Sequence, residues 1–289
     1  MCVNPRITAI DFRIIFIYNG YDNQWMETAS TFNDDVYVLR ENLRNLRTAF
    51  FVLFIGLILT MVPFVDIVGG ILIFIGIILL IMGLGRIGNS NLTNAKFYLG
   101  ARNWFVFYIL ASIAVVVVIY YFLFTLIVSP IIASSLIPGS VPPVPMTVFN
   151  DVFMIMGASV AVILVLYVIT YLKLAETLKL LSSELSVPKL GSAGDYLKIS
   201  IILSVITSFI AVVSLYYSFR TEVVLLSSQP GRVPTGFQVS PIFSLFGVFG
   251  YTLLVAIVGL IFQLIAYHGA YSGLDEFFTL ADYKMQNRQ

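Results

Sequence analysis

The sequence predicts an all-α membrane protein: a bundle of about six transmembrane helices in three hairpins, with amphipathic helices on the cytoplasmic side. Two observations predict this fold class. Hydrophobic residues make up 59% of the 289 residues and charged residues only 11%, whereas a soluble domain is about half apolar and about a quarter charged. The apolar residues also form blocks about as long as the ~20 residues that a helix needs to span a bilayer. A helix on a soluble core would interrupt such blocks with a polar face.

Residues 1–32 form an N-terminal segment ahead of the membrane domain. Asp11 and Arg13 interrupt its apolar stretch, residues 7–18, which is therefore neither the core of a signal peptide nor a span. A second methionine, Met26, opens a segment typical of a protein start. We advance the hypothesis that residues 1–25 are an upstream extension; the alternative is that they belong to the native protein.

The first helical signals appear at Asn33, which can cap a helix N-terminus, with Asp34 and Asp35 in the first turn. Leucines and valine then recur at helical spacing with arginines between them. This pattern predicts an amphipathic helix at headgroup depth that leads into the first span, or a plain cytoplasmic extension of that span. The apolar positions are Val36, Leu39, Leu43 and Leu46, and the basic positions are Arg40, Arg44 and Arg47.

The membrane domain is predicted over residues 33–268. Pro63 and Asp66 mark a tight turn between its first two spans, and Ser240 with Pro241 predicts the start of the sixth helix as N-cap and N1 residues. Residues 269–289 form a cytoplasmic amphipathic tail. The six spans are expected at residues 49–65, 67–85, 104–128, 152–172, 196–219 and 241–268.

Basic residues orient the bundle. With the N-terminus inside, the outer segments hold only Arg220 and Arg232, and the other fourteen of the sixteen Lys and Arg residues lie in inner segments. Lysine and arginine concentrate on the cytoplasmic side of membrane proteins. We therefore expect a multi-pass protein of the cell membrane with both termini in the cytoplasm.

The second and third hairpins resemble each other. Their outer loops read SSLIPGSVP over residues 134–142 and SSQPGRVP over residues 227–234, and each hairpin ends in an amphipathic segment. The similarity predicts a two-span hairpin duplicated in parallel orientation. The alternative is that the loops converge by composition, because outer turns prefer Pro and Gly. The two amphipathic faces comprise Leu174, Leu178, Leu181 and Leu185, and Tyr271, Leu274, Phe278 and Ala281.

Functional sites in membranes usually carry ionisable residues at bilayer depth, and the middles of the six predicted spans carry none. Asp66, Asp151 and Glu222 are expected at the outer surface, where they either converge into a cation site or, as we favour, occupy a turn and two helix ends. His268 is expected to be a helix-end or packing residue, and Cys2 has no second cysteine to pair with. We therefore predict no catalytic residue, no cofactor-binding residue, no metal site, no cofactor and no enzymatic activity.

Small and polar residues mark packing surfaces on three spans. The fifth span carries Ser200, Ser204, Thr207 and Ser208 on one face, which predicts close helix packing or a narrow polar path. The second span carries glycines at intervals of seven, which predicts close approach of a partner that the sequence does not identify. We expect Gln263 and Tyr251 of the sixth span to bond to neighbouring helices. The glycines are Gly69, Gly76 and Gly83.

The stretch VPFVDIVGGILIFIGIILLIMGLGRIGNSNLTNAKFYLG, residues 62–100, resembles a family of uncharacterised archaeal multi-pass membrane proteins. The resemblance includes the Leu39-Arg40 and Leu46-Arg47 pairs before the first span and the Gly-Leu-x-Arg-Ile-Gly end of the second. A start at Met26 also suits that family. The resemblance implies a membrane location and no particular activity.

The uncharged, packing-rich spans favour a non-enzymatic membrane protein that acts by assembly, as a scaffold or accessory subunit. The proline-rich outer loop at residues 129–150, which is uncharged up to Asn150, is a plausible docking surface. The alternative is a small transporter or channel for a neutral or apolar solute, lined by the serines of the fifth span. The partners expected are the lipid bilayer and a second copy or another membrane protein. Nucleic acid is not expected, because the net charge is +1 and basic runs are lacking.

Overall fold

The computed structural model describes residues 25–90, 92–125, 146–227 and 239–286. These residues are almost wholly α-helical and contain no strand, which confirms the predicted all-α fold class. The helices are α1 Trp25–Thr60, α2 Asp66–Gly88, α3 Ala95–Leu123, α4 Met146–Leu185, α5 Pro188–Ser227 and α6 Val239–Gln286.

All six helices contain a segment long and apolar enough to cross a membrane. Each of these segments overlaps one of the six predicted spans, and the chain is a multi-pass membrane protein. α4 and α6 continue without a break from the predicted spans into the amphipathic segments that follow. The extension hypothesis for residues 1–25 and the two similar outer loops fall almost entirely outside the described residues, so the extension and the duplication remain predictions.

Three predicted helix ends are wrong. α1 begins at Trp25, so Asn33 lies inside the helix and not at its start. α1 ends at Thr60, whereas the first span was expected to reach residue 65; Pro63 disfavours helical backbone at the residue before it, and Phe64 has a left-handed φ of 70°. α6 begins at Val239, two residues before Pro241.

The chain divides into two compact units. Unit 1 contains the described residues up to 106, together with residues 171–198 and 262–286; unit 2 contains residues 107–170 and 199–261. Unit 1 therefore holds α1 and α2 whole, together with one end of each of the other four helices. Unit 2 holds the remaining lengths of α3, α4, α5 and α6.

In unit 1 the six helical segments form a closed ring in chain order. Leu46 of α1 lies against Gly83 of α2, and Gly88 of α2 lies against Leu99 of α3. Side-chain contacts then join α3 to α4, α4 to α5, α5 to α6 and α6 back to α1. Those contacts are Tyr98–Glu184, Lys179–Asp195, Lys189–Glu276 and Arg47–Asp275.

The predicted amphipathic faces form much of the core of unit 1. Leu43 and Leu46 of α1, Leu174 and Leu181 of α4, and Leu274 of α6 are all fully buried. The sequence had suggested that the face on α1 lies against lipid headgroups. In the structure the amphipathic segments shield one another, because apolar faces from three helices meet in one unit.

The packing surface predicted for the second span, the glycine face of α2, is confirmed, and the helix that packs on it is α1. A methyl group on Gly69 would lie 2.5 Å from the backbone nitrogen of Thr60, and one on Gly83 would lie 2.9 Å from that of Leu46. Gly76 faces Leu53, whose Cγ would be 2.7 Å away. The absence of side chains at these three positions lets the two backbones approach closely along the whole hairpin.

α4 and α5 are joined by a turn of two residues, Ser186 and Val187. Ser186 has a left-handed φ of 56°, and the N–H of Val187 donates to the carbonyl of Ser182 over 3.1 Å. This is the six-to-one hydrogen bond of a Schellman helix end. α5 then starts at Pro188, which is favoured at the first helical position because its missing N–H would have no partner there.

Unit 2 exposes most of its apolar side chains. Leu110 and Val117 of α3, Met154 of α4 and Phe209 of α5 are each more than half exposed. A ring contact between Phe153 and Tyr216, with centroids 4.9 Å apart, joins α4 to α5. Outward apolar side chains of this kind are what a lipid-facing surface requires.

Candidate functional site

A belt of ion pairs joins four helices of unit 1, and its members are Arg40–Asp282, Arg47–Asp275, Lys179–Asp195 and Lys189–Glu276. Arg40 contacts Asp282 at 3.0 Å, Arg47 contacts Asp275 at 2.5 Å, and both pairs join α1 to α6. The Arg47 guanidinium also lies 5.3 Å from the ring centre of Phe278. The side chains of these two pairs are 32–46% exposed, so each pair contributes only about 0–1 kcal/mol. The belt therefore contributes little to the free energy of folding, and its main effect is on which helices pair with each other.

A second polar cluster connects the start of α3 to the end of α4. One carboxylate oxygen of Glu184 accepts bonds from the backbone N–H of Asn94 (3.0 Å) and from its side-chain amide (2.7 Å). The other accepts from the hydroxyl of Tyr98 at 2.6 Å, and Tyr98 is fully buried. Glu184 thus caps the N-terminus of a helix other than its own, where the helix dipole favours an anion. The arrangement holds two helices in register.

Unit 2 contains a cluster of hydroxyl groups. The hydroxyls of Tyr167 in α4 and Ser204 in α5 lie within hydrogen-bonding reach of each other. The ring of Tyr167 also lies 6.5 Å, centre to centre, from that of Tyr108 in α3. One turn from Ser204, the hydroxyl of Ser200 is buried and has no hydrogen-bond partner among the described residues. Three helices therefore bring neutral polar groups together between otherwise apolar faces.

Gly259 of α6 lies against the predicted small-residue face of α5. A methyl group there would be 3.3 Å from the Cβ of Leu203 and 4.0 Å from backbone atoms of Ser200 and Ser204. Thr207 donates its hydroxyl to the carbonyl of Leu203 in its own helix. The close-packing prediction for this face is thus confirmed at Ser200 and Ser204, and the polar-path alternative stays open.

The acidic residues expected at the outer surface lie at different places along their helices. Asp66 opens α2 and is exposed. Asp151 lies in the second turn of α4, and Glu222 lies inside α5, which continues to Ser227, so the prediction that Glu222 follows a helix end is wrong. The side chains of Asp151 and Glu222 lie outside the described residues. His268 lies inside α6 and not at its end, and its exposed ring lies 5.3 Å from that of Phe54 in α1.

Two further predictions concern α6. Gln263 donates to the hydroxyl of Tyr267, four residues on in the same helix, at 2.8 Å; the expectation that this bond reaches a neighbouring helix is wrong. The side chain of Tyr251 lies outside the described residues. Within the described part of the chain, no group of three or more His, Cys, Asp or Glu side chains could hold a metal ion.

Sequence reasoning missed Glu184 and the acidic residues of the belt. Asp275, Glu276 and Asp282 lie in the segment that was taken for an amphipathic tail, where charges usually face water. The signal that was present is the alternation of charge between segments: Arg40 and Arg47 on α1, and acidic residues in the last turns of α6. These opposite charges form ion pairs only because α1 and α6 lie antiparallel to each other.

Comparison of the chain with protein-family models, curated proteins and solved structures gives no match. The resemblance of residues 62–100 to an archaeal membrane family therefore stays a prediction.

Proposed function

We propose that this multi-pass membrane protein is not an enzyme and acts by assembly, as a scaffold or accessory subunit in its membrane. The observation that supports this proposal is the packed core of unit 1. Leu46, Leu84, Leu178, Leu190 and Leu274 come from five different helices and are at most 1% exposed. A core filled in this way gives structural rigidity and leaves little room for a substrate.

The charges of unit 1 are arranged for holding helices and not for chemistry. Its interhelical ion pairs are partly exposed. Both carboxylate oxygens of Glu184 already accept hydrogen bonds, from Asn94 and Tyr98. A catalytic carboxylate or base is usually poised in a cleft with perturbed surroundings. Unit 1 thus has the properties of a structural platform.

α2 offers a surface on which a partner could assemble. Its glycine face is covered by α1, but Ile67, Ile71, Phe74 and Ile78 are 41–73% exposed. Gly70 lies between them, and a methyl group there would have nothing within 4 Å. Lipid, a second copy or another membrane protein would each satisfy this apolar face, and assembly requires that one of the last two does.

Orientation follows from the same charges. Arg40, Arg47, Lys179 and Lys189 all belong to the belt of unit 1, and positive residues favour the cytoplasmic side. We therefore propose that the belt faces the cytoplasm, together with the start of α1 and the end of α6.

The test is purification from native membranes in mild detergent, with mass spectrometry of everything that remains bound. A partner protein in stoichiometric amount would support the proposal, and its activity would identify the process served. A chain that elutes alone in every detergent tried would contradict it. The control is the same purification after a wash in harsh detergent. This wash should remove a partner that is bound noncovalently and leave only protein that is attached covalently.

The hydroxyl cluster of unit 2 favours a second candidate, transport of a neutral solute. Tyr167, Ser200 and Ser204 are polar but uncharged, which suits a small solute that carries hydroxyl or amide groups. Ser204→Ala should lower solute flux in proteoliposomes several-fold. Thr207→Ala is the matched control, because that hydroxyl bonds its own helix. Flux that both variants leave unchanged would exclude this cluster as the path.

A further inference from the structure

Three arginines of α1 line an open groove in unit 1. Arg40, Arg44 and Arg47, with Glu41 and Phe278, surround a volume of ≈ 190 Å³. The apolar part of α1 begins at Ala49, so Arg44 lies about 7.5 Å along the helix from it at 1.5 Å per residue. The headgroup layer on each side of a bilayer is roughly 5–7 Å thick. Arg47, about 3 Å from Ala49, therefore lies at headgroup depth, Arg44 lies at the outer edge of that layer, and Arg40, about 13.5 Å away, lies beyond it.

The three guanidinium groups differ in how far they are satisfied. Arg40 and Arg47 pair with acidic residues of α6, but the nearest acid to Arg44 is Glu41 at 3.8 Å, and the Arg44 side chain is 71% exposed. The Nε–H of Arg47 is buried and has no hydrogen-bond partner among the described residues. Arg44 is thus an exposed cation in the groove, and Arg47 beside it carries a buried donor without a partner among the described residues. Guanidinium groups match the oxygens of a phosphate with paired hydrogen bonds.

The charges around the groove disfavour a ligand with several negative charges. Three arginines are balanced by three acids, Glu41, Asp275 and Asp282. The groove therefore offers directed N–H donors without a large net field. A phosphodiester with one charge suits this balance better than a phosphate monoester or a polyphosphate, each of which needs excess positive charge.

A lipid tail has a path directly below Arg44. Phe51 and Ile58 follow at intervals of seven residues, two helical turns each, and so lie on the same face of α1. Both are exposed, at 44% and 37%. From Arg44 to Ile58 the helix rises about 21 Å, close to the length of an extended acyl chain. This stripe favours a membrane lipid over free phosphate as the source of the phosphodiester.

We propose that the groove of Arg40, Arg44 and Arg47 binds the phosphodiester headgroup of an anionic membrane lipid, with Arg44 as the main contact and the lipid chain along Phe51 and Ile58. Arg44 releases Glu41 and donates to the phosphate, while Arg40 and Arg47 keep their ion pairs with α6. The proposal does not depend on assembly or on transport.

The test is native mass spectrometry of the delipidated protein titrated with phosphatidylglycerol in detergent. The variants are Arg44→Gln and, as matched control, Arg86→Gln, since Arg86 is an exposed cation at the end of α2 outside the groove. Arg44→Gln should reduce occupancy of the first bound lipid about tenfold, the loss of one charge-assisted contact. Arg86→Gln should leave it unchanged.

Two further titrations identify the ligand. Phosphatidylcholine should bind several-fold more weakly than phosphatidylglycerol, because its quaternary ammonium group would lie beside the arginines that contact the phosphodiester. Millimolar inorganic phosphate should not displace the lipid. Equal losses in the two variants, equal binding of the two lipids, or displacement by inorganic phosphate would each overturn the proposal. Circular dichroism of Arg44→Gln checks that the exposed substitution leaves the helices folded.

Discussion

The packing of α2 on α1 can be tested with two adjacent glycines, because Gly69 is in close contact with α1 and Gly70 faces open space. A methyl group on Gly69 would lie 2.5 Å from the backbone nitrogen of Thr60, about 0.9 Å inside the 3.4 Å at which ordinary contact begins. A methyl group on Gly70 would have nothing within 4 Å. Gly69→Ala and Gly70→Ala therefore make the same chemical change in the same helical turn, with and without a clash.

The magnitude follows from what must move. Thr60 presents backbone to Gly69, so a side-chain rotation cannot relieve the contact and the helices have to separate. A gap of 0.5–1 Å already loses a quarter to a half of each van der Waals attraction along the interface, and overpacking of this kind costs about 1–3 kcal/mol. The gain in helix propensity from Gly to Ala is common to both variants and cancels in the comparison. We expect Gly69→Ala to be less stable than Gly70→Ala by about 1–3 kcal/mol.

The assay is reversible unfolding in mixed micelles by titration with dodecyl sulfate, followed by far-ultraviolet circular dichroism. Gly76→Ala should fall between the other two variants, because the nearest atom to its methyl group belongs to the flexible side chain of Leu53. Gly76→Leu should be worse than any of them, because a whole side chain must enter the same contact. Equal stability of Gly69→Ala and Gly70→Ala would refute the close approach of α1 and α2.

Three other substitutions test the polar contacts and the turn, each by the same unfolding assay. Glu184→Ala should lower the free energy of unfolding by about 2–4 kcal/mol, since it leaves buried donors unpaired. Glu176→Ala breaks only a partly exposed pair in the same helix and should cost less than about 1 kcal/mol. Equal costs would contradict the capping role of Glu184. Ser186→Gly should stabilise by about 0.5–1 kcal/mol because glycine adopts a left-handed φ without strain, and a loss of stability would argue against the Schellman turn. Arg47→Lys should destabilise by more than Asp275→Asn, because lysine keeps the charge but loses the planar stacking on the aromatic rings of α6; the reverse order would show that the charge pair dominates.

The sequence was sufficient for the number and approximate place of the helices, because each span is an apolar block bounded by charge or by Pro and Gly. It was also sufficient for the Gly69, Gly76 and Gly83 face, since a spacing of seven can only place these residues on one side of α2. It could not identify α1 as the partner. That depends on the turn at residues 61–65, where a left-handed Phe64 reverses the chain.

Amphipathic segments were harder to interpret. A helix with one apolar face has the same sequence pattern whether that face meets headgroups or another helix. Leu43 and Leu274 are buried because α1 and α6 run together in unit 1, and their pairing rests on contacts between residues more than 200 positions apart. The same holds for Glu184, whose role appears only once α3 and α4 are in place.

Six membrane crossings, with the ion-pair belt in the cytoplasm, underlie the proposed orientation and function of the chain. The decisive measurement is labelling of single cysteines in intact cells by a membrane-impermeant maleimide, in a Cys2→Ser background. Phe64, fully exposed in the α1–α2 turn, and Gln286, exposed at the end of α6, are the positions to substitute by cysteine. We predict that Phe64→Cys is labelled in intact cells and Gln286→Cys only after the membrane is permeabilised. The opposite pattern, or labelling of both from outside, would contradict the proposed arrangement.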